Sequence, residues 1–171
     1  MNRKKGGLLL IFALAGWLGG CSVSEQEAVE LSYEAFLTEF REEPSVPNTE
    51  ANNIAFYMPR GFDIVEEAEY NLLLQRGEQL FVLFHQPEEP KTSTIHLERD
   101  REFERDAVTF QVVETDEYTA YFLIKEEDEE QLHVMTAIGG AKLSTVTTYD
   151  SLVKDVEVMM DILLSYEVRT E

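Results

Sequence analysis

The sequence predicts an α+β domain: an antiparallel meander sheet of about seven to nine strands, flanked by an N-terminal and a C-terminal helix. Three observations predict it. Near the end of the chain, Leu152, Val156, Met159, Met160 and Leu163 fall at i, i+4, i+7, i+8 and i+11, which is one continuous helical face. The middle of the chain breaks into short apolar runs separated by turn signals, and Val108-Phe110-Val112 alternates with Thr109-Gln111-Val113 at the strand period of two. A length of 171 residues with 44% hydrophobic composition suits one folded unit rather than two.

The chain opens with Asn2-Arg3-Lys4-Lys5, a basic start. An apolar run of eleven residues follows from Leu8 to Leu18, then Gly19 and Gly20. That order is the layout of an export signal. The run is short for a membrane-crossing helix, which needs about 20 apolar residues. Leu18-Gly19-Gly20-Cys21 resembles the lipobox of bacterial lipoprotein precursors, although Gly19 stands where Ala or Ser is more usual. The resemblance covers residues 1–21. It implies that Cys21 receives diacylglycerol on its thiol, that cleavage falls after Gly20, and that the freed amino group is a second acylation point. Two acyl chains give stable anchoring where one is marginal. The organisation is then a signal peptide over 1–20 and one domain over 21–171.

Within that domain a helix is expected over residues 24–40. Ala28, Leu31, Ala35, Leu37, Phe36 and Phe40 form its apolar stripe, and Ser24 and Glu27 sit at capping-box spacing. Residues 42–51 contain Pro44, Pro47 and a polar cluster, which predicts a loop or hinge. Residues 52–148 read as the sheet. Pro59-Arg60-Gly61 is a turn between two short strands, and Gly77 supplies the hairpin between residues 70–74 and 80–85. Leu80 to Phe84 is apolar at every position, which predicts a central strand buried on both faces. Thr92 to Leu97 is expected as a strand, and Glu98 to Asp106 as a charged surface connection. Turns are expected at Thr115-Asp116-Glu117, over Glu126 to Glu130 and at Gly139-Gly140. The closing helix spans 150–166 with Asp150 as its cap.

A second resemblance rests on Ile54-Ala55-Phe56-Tyr57-Met58-Pro59-Arg60-Gly61-Phe62 and on Ile162-Leu163-Leu164-Ser165-Tyr166. These are similar to the opening strand-turn and the closing helix of PsbP-like domains. That family shares no catalytic residues, and the resemblance implies an accessory or binding role.

Charge narrows the partners. Residues 1–20 hold three cations and no acids, so the chain from Cys21 onward carries 11 cations against 34 acids, a formal charge of −23. Such a body is repelled by nucleic-acid phosphates and by anionic headgroups. Nucleic acid is excluded as a partner, and membrane association is expected through covalent lipid. With Cys21 the sole cysteine, no intrachain disulfide forms.

The sequence offers little chemistry. There is no Gly-x-Ser-x-Gly elbow. His85, His96 and His133 are far apart, each expected in a strand as an ordinary sheet residue, not a zinc ligand. Glu126-Glu127-Asp128-Glu129-Glu130 lacks the alternation and glycine of a calcium loop and reads as a solvated hairpin tip. No catalytic, cofactor or metal residue is assigned. Glu98 to Asp106, with both signs around Phe103, is the candidate recognition loop. The leading expectation is a lipid-anchored, non-catalytic binding or accessory protein on the extracytoplasmic side of the cell membrane, with a protein partner or exposed ligand. The alternative is an exported enzyme with a carboxylate-based active site.

Overall fold

The computed structural model describes residues 24–128 and 130–169. Helix α1 spans Glu25–Glu39, and the Ser24 hydroxyl accepts the Glu27 amide at 3.2 Å as its N-cap. Its buried line is Ala28, Ser32 and Phe36, one turn apart. Leu31, expected in the stripe, points outward and is exposed. Ser32 can take the inner position because its hydroxyl donates to the Val29 carbonyl at 2.7 Å.

The segment expected as a hinge over 42–51 is shorter than that. Strand β1 (Thr49–Ala51) pairs with β2 (Ile54–Phe56) across Asn52-Asn53, whose φ values are +49° and +61°. Asparagine tolerates this left-handed turn, the one that matches strand twist. The short strand β10 (Glu167–Val168) completes a three-stranded sheet on the other side of β2.

The main sheet is antiparallel throughout and has seven strands. These are β3 (Phe62–Ala68), β4 (Asn71–Arg76), β5 (Gln79–His85), β6 (Thr109–Glu114), β7 (Thr119–Glu126), β8 (Leu132–Ile138) and β9 (Ala141–Thr147). Their order is β3-β4-β5-β9-β8-β7-β6. Two meanders therefore meet where β5 pairs with β9. The expected turns are present: Gly61 at φ +88° and Gly77 at +61° reverse the chain, and the Thr115 hydroxyl accepts the amides of Glu117 and Tyr118.

Helix α2 (Ile95–Phe103) joins the meanders, and it corrects the expectation of a strand over 92–97 and a loop over 98–106. Its buried residues His96, Leu97 and Asp100 share one face, while the glutamates and arginines fill the other. Helix α3 (Leu152–Ser165) follows β9. Ser151, not Asp150, holds its cap position, with backbone angles of −100° and −13° and no side-chain bond to the first turn.

The sheet's inner face carries α1 and α3. Phe36, Phe56, Phe81, Phe122, Leu143, Met159, Ile162 and their neighbours form the principal core there. Tyr33, Phe36 and Phe122 stack in succession, and Phe40 stacks on Tyr118 at 4.6 Å. Among the described residues the outer face carries only α2, over a small cluster of Leu97, Tyr121, Leu123, Met135 and Ala137. β5 is an inner strand as expected, yet Leu80 and Val82 remain exposed on that outer face.

Candidate functional site

Two places combine concavity with unusual polar groups. The first is a cleft of about 540 Å3 at one end of the main sheet. Its walls are residues 44–47, residues 87–91 and the segment 164–168. Four of the chain's five prolines, Pro44, Pro47, Pro87 and Pro90, line it. Their fixed φ makes the walls stiff.

The 87–91 wall is also pressed onto the sheet. The Thr119 amide donates to the Lys91 carbonyl at 2.8 Å, and the Gln86 amide to the Gly140 carbonyl at 2.8 Å. A Cβ at Gly139 would sit 2.3 Å from the Pro90 carbonyl, and one at Gly140 2.6 Å from the Glu89 Cβ. The glycine pair expected as a turn, with Gly139 at φ +55°, therefore also admits this loop.

Tyr166 lines the cleft, and His85 lies next to it at 6.4 Å between ring centroids. His85 is fully buried, and neither ring nitrogen has a hydrogen-bond partner among the described residues; the same holds for the Tyr166 hydroxyl. Burial lowers the histidine's pKa and pushes the tyrosine's up to about 12, so both are neutral at pH 7.

The second place lies beside α2. Asp100 accepts a short hydrogen bond from the Tyr121 hydroxyl, and Lys142 Nζ reaches its two oxygens at 2.9 and 3.2 Å. All three are nearly buried. Burial and the neighbouring Asp100 carboxylate hold the Tyr121 hydroxyl protonated. His96, on the same helix, stands edge-on to Phe84 and donates from Nε2 to the Gly140 carbonyl at 3.3 Å. Burial is the main reason its pKa is lowered. A shallow depression of about 470 Å3 opens alongside, where Phe103, His133, Lys142 and Ser144 meet.

A second buried carboxylate, Asp155 on α3, lies on the inner face. It is bound by the Arg76 guanidinium, by Gln79 at 2.7 Å and by Thr147 at 2.5 Å. Arg76 in turn lies over the rings of Phe62 and Phe81. Asp100 and Asp155 each accept from fixed donors on both oxygens. That arrangement locks a helix to a sheet.

The structure does not gather the three histidines. His85 is in β5 and His133 in β8, as expected in strands, whereas His96 is on α2. The acidic run from Glu126 forms a turn in which the Glu127 amide donates to the Gln131 carbonyl. Cys21 lies outside the described residues. Sequence reasoning covered Asp100 only as part of the candidate recognition stretch Glu98 to Asp106 and Tyr166 only as part of the closing-helix motif, and it missed Asp155 and Lys142. Nothing local marks them, because each acquires its partners from an element distant in sequence.

No family model matches the chain, and no curated protein matches it. A solved structure from Bacteroides thetaiotaomicron is similar at a TM-score of 0.47 and 11% identity, over 75% of this chain and 50% of that one. The chain thus spans about half the length of that protein.

Proposed function

We propose that this protein is a lipoprotein held by Cys21 on the extracytoplasmic face of a membrane, and that its folded part is a binding or accessory module with no chemistry of its own. The observation that carries the proposal is the Leu18-Gly19-Gly20-Cys21 motif behind a basic start and an eleven-residue apolar run. Helix α1 is capped at Ser24, three residues after Cys21, so the domain stands close to its anchor. With a charge of −23 on the mature chain, the body is repelled by anionic headgroups while the lipid holds it near them. Among the described residues no helix is long and apolar enough to cross a membrane. The engagement of Asp100 and Asp155 in structural contacts between helix and sheet supports the non-catalytic part of the reading.

Intact mass of the membrane-extracted protein tests the proposal. A chain beginning at Cys21 with added diacylglyceryl mass, absent from Cys21→Ala, is the expected result. An unlipidated chain released to the medium overturns it.

A further inference from the structure

Among the described residues the two faces of the main sheet are covered unequally. Two helices of 15 and 14 residues lie on the inner face, and one helix of nine residues lies on the outer face. The registers show what α2 leaves bare. On the outer face Glu66, Leu73, Val82 and Ser144 form one cross-strand row, and Asp63, Gln75 and Leu80 form the next. Leu80 and Val146 then share the depression at the end of the sheet. An apolar stripe therefore runs through Leu73, Val82, Leu80 and Val146. Exposure is 40% at Val82, 47% at Leu80 and 42% at Val146. Phe103, 70% exposed at the end of α2, borders the stripe across Ser144.

The dimensions of this strip are those of a helix. Strands lie about 4.8 Å apart, so the uncovered β5, β4 and β3 span about 10–15 Å, and an α-helix with side chains is about 10–12 Å across. Arg99 and Lys142 stand at the strip's α2 border, but over β3–β5 its charge is one-sided. Asp63 and Glu66 lie in its two rows and are exposed, and exposed Glu69 and Glu78 stand in the flanking turns, while Glu67, opposite Leu72, belongs to the inner face. The one cation of residues 62–85, Arg76, is turned to the inner face and bound to Asp155. Asp63 and Glu66 stand at the β3 ends of the two rows, along the free edge of the sheet.

We infer that this strip is a docking site for a basic amphipathic helix of a partner protein. The helix lies beside α2, its apolar face on Val82 and Leu80 and its Lys or Arg side chains toward Asp63 and Glu66. Complementary charge selects that occupant over the alternatives. A second copy of this chain would bring another −23 to an acidic rim, and an anionic lipid surface would meet the same repulsion. The inference rests on the reading of the folded part as a binding module, and not on the lipid at Cys21.

The test is photocrosslinking in intact cells of the native host, using the full chain with p-benzoylphenylalanine in place of Val82. The same probe in place of Lys154, exposed on α3, is the control. The expected result is a yield about tenfold higher at 82 than at 154. The adducts map to one segment of one partner in which Lys or Arg flanks an apolar helical stripe. Adding Asp63→Lys and Glu66→Lys, which lie on an exposed edge, lowers the yield about tenfold with the melting curve unchanged. Equal yields at 82 and 154 overturn the inference. So do adducts to a second copy of this chain, to lipid acyl groups or to a segment without cations, and so does indifference to the charge reversal. Repeating the experiment with Cys21→Ala separates the two proposals. Unlipidated parent chain with crosslinks retained at 82 removes only the anchor, and lipidated chain with no preference for 82 removes only the docking site.

Discussion

Helices α2 and α3 are both pinned to the sheet by a buried aspartate, one on each face, yet the two attachments rest on different physics. Helix α3 buries Leu152, Val156, Met159, Met160, Ile162 and Leu163, each contributing about 1.5–3 kcal/mol of gross burial. It would dock without Asp155. The carboxylate fixes where it docks, through Arg76, Gln79 and Thr147. Helix α2 buries one aliphatic side chain, Leu97, beside His96 and Asp100. Its attachment depends on the hydrogen bonds from Tyr121 and Lys142. A polar latch on an apolar helix tunes position, whereas a polar latch on a polar helix decides whether the helix is there at all.

The largest expected effect is at Asp155. Asp155→Ala leaves Gln79, Thr147 and Arg76 without their common acceptor, and breaking a buried pair in this way costs about 3–5 kcal/mol. Because Arg76 is partly solvated and rests on two aromatic rings, the lower half of that range is expected. Urea unfolding should show one cooperative transition at a lower midpoint with the slope unchanged. A loss below about 1 kcal/mol would mean that the apolar stripe alone positions α3.

Asp100→Ala should act locally instead. Lys142 loses its acceptor and α2 detaches, while the inner-face core is untouched. Amide exchange over 95–103 should then approach that of exposed loops while β7 and β8 stay protected, with a global loss of about 1–2 kcal/mol. Uniform loss of protection across the sheet would show that α2 is part of the cooperative unit, and the contrast between the helices would fail.

Each helix also covers a buried histidine, which gives the comparison a pH axis. His96 lies on α2, and His85 lies beside Tyr166 at the end of α3. Both pKa values are lowered from the ordinary 6.5 by burial. Below about pH 6.5 the unfolded chain binds more protons than the native one, so this stability is fully present above 6.5 and is lost as pH falls toward the native values. Each histidine contributes at most one proton to the slope, about 1.4 kcal/mol per pH unit. His85→Phe should flatten the decline between pH 7 and 5 in global unfolding, and His96→Phe should flatten it in the exchange of residues 95–103. If both variants keep the parent slope, neither ring is neutral in the native state.

The same contrast explains what could be read in advance. Helix α3 was legible because its buried residues are apolar and repeat at helical spacing. Helix α2 was not, because two of its three buried residues are His96 and Asp100, which an apolar pattern search scores as surface. Strand β1 was missed because Thr-Glu-Ala has no strand character; the signal lay in Asn52-Asn53, the pair that makes the tight turn. The run Leu80 to Phe84 has the pattern of a strand buried on both faces, but α2 is too short to reach Leu80 and Val82. The cleft around Tyr166 could not be read at all, since its walls come from three separate stretches of chain.

The smallest effect expected is a gain. Helix α1 ends without a basic residue in its last turn, against its own dipole, and Glu39 there faces Asp161, Glu157 and Glu42. Partial burial first, then these like charges, raise the Glu39 pKa above 4.5. A raised carboxyl stabilises the native state below its unfolded value and costs stability once pH rises through the native one, so at pH 7 the charged Glu39 is a net cost. Glu39→Gln should therefore stabilise the fold at pH 7. Solvent screening holds the gain to about 0.3–0.5 kcal/mol. It should shrink in high salt and again as pH falls below 4.5, where the raised pKa leaves the parent side chain mostly protonated. A gain that persists unchanged at pH 4 would come from packing of the amide, and the repulsion between the ends of α1 and α3 would have no part in it.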